Sequence, residues 1–114
     1  MSSKDLNVLC RIIKYCNQIN ETCNDFDNSK KKFTESVTFR NAVCLCLLQI
    51  GELGNQLSEE FKENSKEIPW RSIKFLRNIV AHDYDKVDYD IVWDICICEI
   101  PVLLKFCTDI TENS

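Results

Sequence analysis

Glycine and proline are nearly missing from this 114-residue chain, with two of each. Hairpins and small barrels draw on those residues at their turns, so an all-β or mixed fold has little support. Helices joined by short connections are the natural reading. Histidine and methionine each occur once. No apolar run approaches the roughly eighteen residues that a membrane-spanning helix needs. The opening MSSKDLNVLC lacks an apolar signal core, which predicts a cytoplasmic protein. There is no internal repeat and no low-complexity block. The length suits one domain, residues 1–114, with one core and no room for a second.

Cysteine, by contrast, is plentiful: eight residues, at 10, 16, 23, 44, 46, 96, 98 and 107. A disulfide scaffold belongs to secreted proteins. Zinc ligation favours Cys-x-x-Cys pairs, and there are none. The pairs Cys44/Cys46 and Cys96/Cys98 lie two apart in apolar helical runs, so each diverges by roughly 200° around its helix. Reduced cysteine used as a small core residue is the expectation, with no metal site. A redox or metal protein built on these thiols is the weakest functional reading. The net charge of −4 means that a polyanion would be bound only at a local basic patch.

Hydrophobic spacing divides the chain into four helices, an antiparallel all-α bundle. The first is expected over residues 4–22, with Leu6, Leu9, Ile13 and Cys16 on one side. Residues 24–32 (NDFDNSKKK) read as a polar loop with a solvated lysine run. The second helix is expected from residue 33 to residue 57 or 61. Its centre, AVCLCLLQI at 42–50, is apolar on all sides and calls for a second covering surface, such as a subunit interface. Gly51 and Gly54 interrupt it, as glycines do where another backbone comes close or a helix bends. A polar connector covers 58–67. The last helix is expected from residue 87 to residue 107 or 110. Val87, Ile91, Ile95, Cys98, Val102 and Phe106 are its predicted main face, broadened by Val92, Trp93, Leu103 and Cys107. Pro101 should kink it.

The stretch that organises the chain is 68–84, IPWRSIKFLRNIVAHDY. Pro69 suits the first turn of a helix. Trp70, Ile73, Leu76 and Val80 form a buried stripe. Arg71, Lys74, Asn78 and His82 share the opposite, wet side, with Arg77 displaced beside them and no acid before Asp83. Asp85 and Asp88 mark a turn. Arginine is a permanent cation whose planar fork suits phosphate, and histidine titrates near neutrality. Together they hold the minimum for cutting RNA without a metal: a base for the 2′-hydroxyl proton and a cation for the charge that builds on phosphorus. Asn78 can hydrogen-bond phosphate or orient the histidine, and Tyr84 can stack on a base. Arg77 and His82 stand roughly 140° apart on a regular helix. A two-fold pairing of two copies would let both line one cleft. The bland alternative is a histidine that merely caps a helix C-terminus.

The combination Ile68-Pro69-Trp70, Arg77-Asn78, His82, Tyr84, Val87-Asp88 and Val92-Trp93 resembles the signature of the HepT-like group of the HEPN superfamily. The Ile50-Gly51-Glu52 run with the later Leu57-Ser58, and Pro101-Val102-Leu103, are similar to that group as well. The resemblance covers nearly the whole chain from Phe33 onward. It implies a HEPN-type bundle forming a two-fold homodimer, and the toxin of a type VII toxin–antitoxin pair acting as a metal-independent, cofactor-free endoribonuclease. Arg77 and His82 would be catalytic with Asn78 supporting, and Arg71 and Lys74 on the same wet side would bind RNA. The partner implied is an MNT nucleotidyltransferase antitoxin that transfers AMP to Tyr84. Added phosphate beside Arg77 would neutralise the cation and block RNA. Many members carry a glycine and an aromatic around this tyrosine, whereas Asp83 and Asp85 flank it here. Two carboxylates would weaken attraction for RNA, or help to recruit the partner or its Mg²⁺. The alternative is a non-catalytic HEPN subunit that binds a nucleotidyltransferase and its substrate.

Overall fold

The computed structural model describes residues 1–82 and 84–113, and the side chains of all these except Leu76 and Ile79. The expected roles of Leu76 in the buried stripe and of Asp83 beside the tyrosine lie outside the described residues. Every regular element among them is helical. The chain runs through α1 (Ser3–Asp25), α2 (Lys30–Glu35), α3 (Val37–Gln56), α4 (Glu59–Glu63) and α5 (Trp70–His82). A 3-10 turn (Tyr84–Lys86), α6 (Tyr89–Asp94), a π-helical segment (Ile95–Glu99) and α7 (Ile100–Glu112) complete it. The long α3 packs against α1 on one side and α5 on the other, and α7 packs on α1. This is the expected all-α HEPN-type bundle. No helix of the described residues is long and apolar enough to cross a membrane.

Short polar side chains explain the boundaries that hydrophobic spacing alone did not reveal. Ser29 accepts a bond from the Lys32 N–H at 3.1 Å and starts α2 inside the expected loop. Its lysines are still exposed to solvent. Ser36 accepts from the Phe39 N–H at 3.1 Å, so the predicted second helix is two helices. Ser58 does the same for Phe61, turning part of the expected connector into the single turn of α4. In each case a hydroxyl supplies an acceptor to an N–H that has no partner within the helix. Asp88 caps α6 through the N–H groups of Asp90 and Ile91. Pro69 sits one position earlier than expected. Its carbonyl accepts the Ile73 N–H at 3.1 Å, which makes Pro69 the residue before α5 rather than its first.

The core is continuous from Val8, Leu9 and Ile12 of α1, through Val43, Leu47 and Ile50 of α3, to Ile100 and Leu103 of α7. One end is aromatic. Phe26 stacks on Phe39 at 4.4 Å, and the Phe33 ring meets Phe39 at 5.0 Å and Trp93 at 5.3 Å. This cluster fixes the roll of the last helical stretch. Burying Trp93 against Phe33 and Phe39 brings Val92, Cys96, Ile100, Leu103 and Cys107 inward. The predicted main face is therefore wrong by about one residue. Ile91 and Val102 are more than half exposed and Cys98 is exposed, whereas the residues assigned to broaden that face form the core contact. The irregularity expected at Pro101 takes the form of the π segment just before it. There the Ile100 N–H bonds to the Ile95 carbonyl, and the proline falls in the first turn of α7.

The centre of α3 is not buried all round, because Leu45 is 58% exposed while its neighbours Cys44 and Cys46 are inside. Six of the eight thiols are buried, and all eight are free. Burial pushes the Cys44 thiol up to about 11 and that of Cys107 to about 12, so both stay protonated and unreactive near neutral pH.

Candidate functional site

The wet side of α5 is as the spacing predicts: Arg71, Lys74, Asn78 and His82 are all exposed. Trp70 and Ile73 are half-buried and Val80 is buried on the opposite side, against α3. The helix forms because Pro69 fixes its entry and the apolar spacing then holds it to α3.

Arg77 lies between these two sides, and α3 receives it. Its Nε donates to Glu52 Oε1 at 2.5 Å, Nη2 pairs with the same oxygen, and Nη1 donates to Asn78 Oδ1 at 2.9 Å. The pair is part-exposed, with the Arg77 side chain at 25% and that of Glu52 at 41%. Gly51 makes this approach possible. A β-carbon at Gly51 would lie 2.3 Å from Arg77 Cβ and 3.4 Å from the Ile73 carbonyl oxygen. No ordinary side chain fits there, so glycine is required for steric reasons. At Gly54 the same construction meets Trp70 at 3.8 Å and Ile73 at 3.9 Å, an ordinary contact. Of the two glycines, only Gly51 is demanded by close packing.

Arg77 and Asn78 are thus joined by a hydrogen bond. His82, the last residue of α5, lies one turn beyond Asn78 on the wet side, facing solvent roughly 140° around the axis from Arg77. Within one chain the two do not share a face. Exposed Phe75 does share the His82 face, about 20° away around the axis and two turns earlier. It borders an apolar groove of about 380 Å³ lined by Val87, Ile91, Val92, Ile95 and Cys98.

Tyr84 begins the 3-10 turn two residues after His82 and is half-buried. Its hydroxyl donates to Asn41 Oδ1 of α3, and its ring meets that of Tyr89 at 6.4 Å. Burial first, then the Tyr89 contact, pushes the phenol up to about 12, against a smaller opposing effect of Arg40. The hydroxyl is therefore a weak nucleophile by itself, and any group transfer to it needs a base from elsewhere.

Arg71 and Lys74 rim a second hollow, of about 390 Å³, along the α3–α5 seam. Lys62 of α4 and Asn55 of α3 also reach it. Sequence reasoning missed Glu52, Asn41, Lys62 and Asn55 as members of this region. Glu52 carried a faint signal, as an acid inside a nearly apolar helix directly after a glycine. Nothing in the sequence links Asn41 to Tyr84. Among the described residues no group of three or more histidine, cysteine or acidic side chains could hold a metal ion.

A family model described as "Ribonuclease HepT-like" matches residues 12–110. The chain is similar to "Putative RNase MJ1380" of Methanocaldococcus jannaschii, 31% identical over 106 residues that cover 92% of this chain and 95% of that one. It is similar to "Putative RNase TTE0752" of Caldanaerobacter subterraneus, 32% identical over 85 residues, covering 75% and 76% of the two chains. "Probable ribonuclease HepT" of Thermococcus cleftensis is 29% identical over 82 residues, covering 64% and 74%. No solved structure matches significantly.

Proposed function

The chain belongs to the HepT-like ribonuclease family, and on that premise we propose that it is a metal-independent endoribonuclease, the toxin of a HepT/MNT toxin–antitoxin pair. The observation that carries this reading is the arginine held by Glu52 and Asn78 at the edge of an exposed, acid-free basic strip that ends in the only histidine. His82 takes the proton from a ribose 2′-hydroxyl. The 2′-oxygen attacks the adjacent phosphorus, the bond to the 5′-oxygen breaks as that oxygen takes a proton from water, and Arg77 stabilises the charge on the phosphoryl oxygens. The products are a 2′,3′-cyclic phosphate and a free 5′-hydroxyl. Asn78 fixes one edge of the guanidinium, while Arg71 and Lys74 hold neighbouring phosphates.

The 140° between Arg77 and His82 is bridged by pairing two copies. The exposed Phe75, Ile91 and Val102 support such a pairing: they are large apolar groups left uncovered, and Phe75 lies on the His82 side. Covering Phe75 with a second copy brings the His82 sides of the two α5 helices together. Tyr84 is the acceptor of AMP from the nucleotidyltransferase partner. The transfer joins the phenolic oxygen to the α-phosphorus of ATP and releases pyrophosphate. It also breaks the bond to Asn41 and puts a negative phosphate next to the basic strip.

The reading is tested by incubating purified protein with RNA in EDTA, alongside the same RNA carrying a 2′-O-methyl group at each ribose. Cleavage of the first alone, leaving cyclic phosphate ends, is expected. Cleavage of the methylated strand would overturn the mechanism. A second reading, a non-catalytic subunit that docks a nucleotidyltransferase, is favoured by the neutralised state of Arg77. It predicts no cutting of either RNA, together with a stable complex with the product of a neighbouring nucleotidyltransferase gene. Intact mass after co-expression should show added AMP units that Tyr84→Phe loses. An unchanged mass would remove the modification.

A further inference from the structure

The chemistry above uses only Arg71 and Lys74, at the rim of the hollow along the α3–α5 seam, and the rest of the lining is distinctive. Three cations, Lys62, Arg71 and Lys74, meet there with one acid, Glu59. In a chain of net charge −4 this is a local reversal of sign. Lys62 is held at the end of the hollow by Glu59 at 3.3 Å, with the lysine side chain only 20% exposed and the glutamate 85%. One wall is Trp70. Its indole N–H donates to the carbonyl and the hydroxyl of Ser65, both at 3.2 Å, so the ring is pinned rather than free to rotate. The floor is the bare backbone of α3 at its glycines, followed by the amide of Asn55. Arg71, Lys74 and Arg77 follow one another at three-residue steps, rising about 4.5 Å each along the helix. The hollow therefore extends the positive charge from Arg77 toward the start of α5.

Resting on the ribonuclease reading, we propose that this seam is an extended single-stranded RNA subsite. Lys62 and Lys74 hold the phosphate next to the one that Arg77 grips, with Arg71 at the rim. Asn55 meets a base edge, and the pinned Trp70 ring supplies an apolar wall for that base. Backbone phosphates and exposed bases are what a basic groove with a fixed aromatic wall suits, with little preference for sequence. Glu59 offsets one charge and keeps the Lys62 ammonium in place until a phosphate competes for it. The subsite makes affinity depend on strand length: an oligomer long enough to fill it gains contacts that a trimer lacks.

The test uses uncleavable 2′-O-methyl RNA, a labelled trimer and a labelled octamer, bound to the full-length protein at several salt concentrations. Wild type is expected to bind the octamer more tightly than the trimer. Lys62→Ala and Asn55→Ala should each weaken octamer binding roughly fivefold, the value of one surface charge or polar contact. Lys62→Ala should also lower the salt slope by about 0.7, the share of one single-strand phosphate contact. Lys62→Glu should weaken octamer binding further. Circular dichroism would verify that each variant is folded. Wild-type affinity and slope in all three variants, or no octamer binding by wild type, would overturn the subsite. The two readings fail separately. Lys62-dependent octamer binding by a protein that cuts no RNA removes the nuclease and keeps the seam. Cutting by a protein whose octamer binding ignores Lys62 and Asn55 does the reverse.

Discussion

Two polar clusters hang from the same stretch of α3 and the residues just after it, and they are built differently. At Ser58 the buried Asp5 carboxylate of α1 receives the Ser58 N–H at 3.0 Å and its hydroxyl at 2.7 Å. Burial alone would raise this carboxyl. The two bonds from Ser58, that of Ser2 and the charge of Lys4 outweigh it and hold the group below its ordinary value. At Glu52, six residues earlier, a carboxylate faces Arg77 in a part-exposed pair beside a glycine that no side chain could replace. In the first cluster the carboxylate is buried and its bonds are satisfied, and it joins α1 to the start of α4. The second is open to solvent and holds a cation at the rim of a basic strip. A buried, fully bonded charge fixes architecture, whereas an accessible, restrained one is available to a ligand.

Substitutions can break this contrast. The largest effect on stability is expected from Gly51→Ala. The added methyl must push α5 off α3, at a cost of about 1–3 kcal/mol, and cleavage should fall with it because Arg77 moves. Wild-type stability and activity in Gly51→Ala, measured by thermal melts and RNA cleavage, would mean that the close approach is dispensable. Asp5→Ala comes next. It leaves the Ser58 N–H and hydroxyl without their acceptor, at about 1–3 kcal/mol, with cleavage per folded molecule unchanged.

The pH dependence of that loss has a defined sign. The folded-state pKa of Asp5 is depressed, so its contribution is present above the unfolded value of about 3.9. It is lost as pH falls through the folded value. The difference between wild type and Asp5→Ala should therefore shrink in acid, and a difference independent of pH would contradict the charged assignment.

Spacing revealed α5 and its wet side because charged residues recur there in a clean helical order. It did not reveal Glu52 as the partner of Arg77, since 25 residues and a change of helix separate them. The last helical stretch misled for a different reason. It is apolar on several sides, so periodicity offered two adjacent faces, and the contact of Trp93 with Phe33 and Phe39 decided between them. Ser36 and Ser58 were hidden because a hydroxyl cap interrupts a helix without interrupting its apolar pattern.

The smaller effects sharpen the same contrast. Glu52→Gln keeps an acceptor but removes the charge. Stability should change by less than about 1 kcal/mol, as for other part-exposed pairs. Its cleavage rate should drop several-fold more than its KM changes, because the guanidinium is held less firmly. Equal loss in both parameters would make Glu52 a binding group instead. Gly54→Ala should be neutral or stabilising by up to about 1 kcal/mol, since the space exists and alanine favours helix. Destabilisation as large as that of Gly51→Ala would mean that the two glycines do not differ.

The central claim is that the open end of α5 cuts RNA. It is tested most directly by RNA cleavage in EDTA with wild type, Arg77→Ala and His82→Ala, each shown to melt as a folded protein. The account predicts cutting by wild type and a loss of at least about 100-fold in each variant, the usual effect of removing a positioned base or a charge-stabilising group. Undiminished cutting by His82→Ala, or by Arg77→Ala, would contradict it.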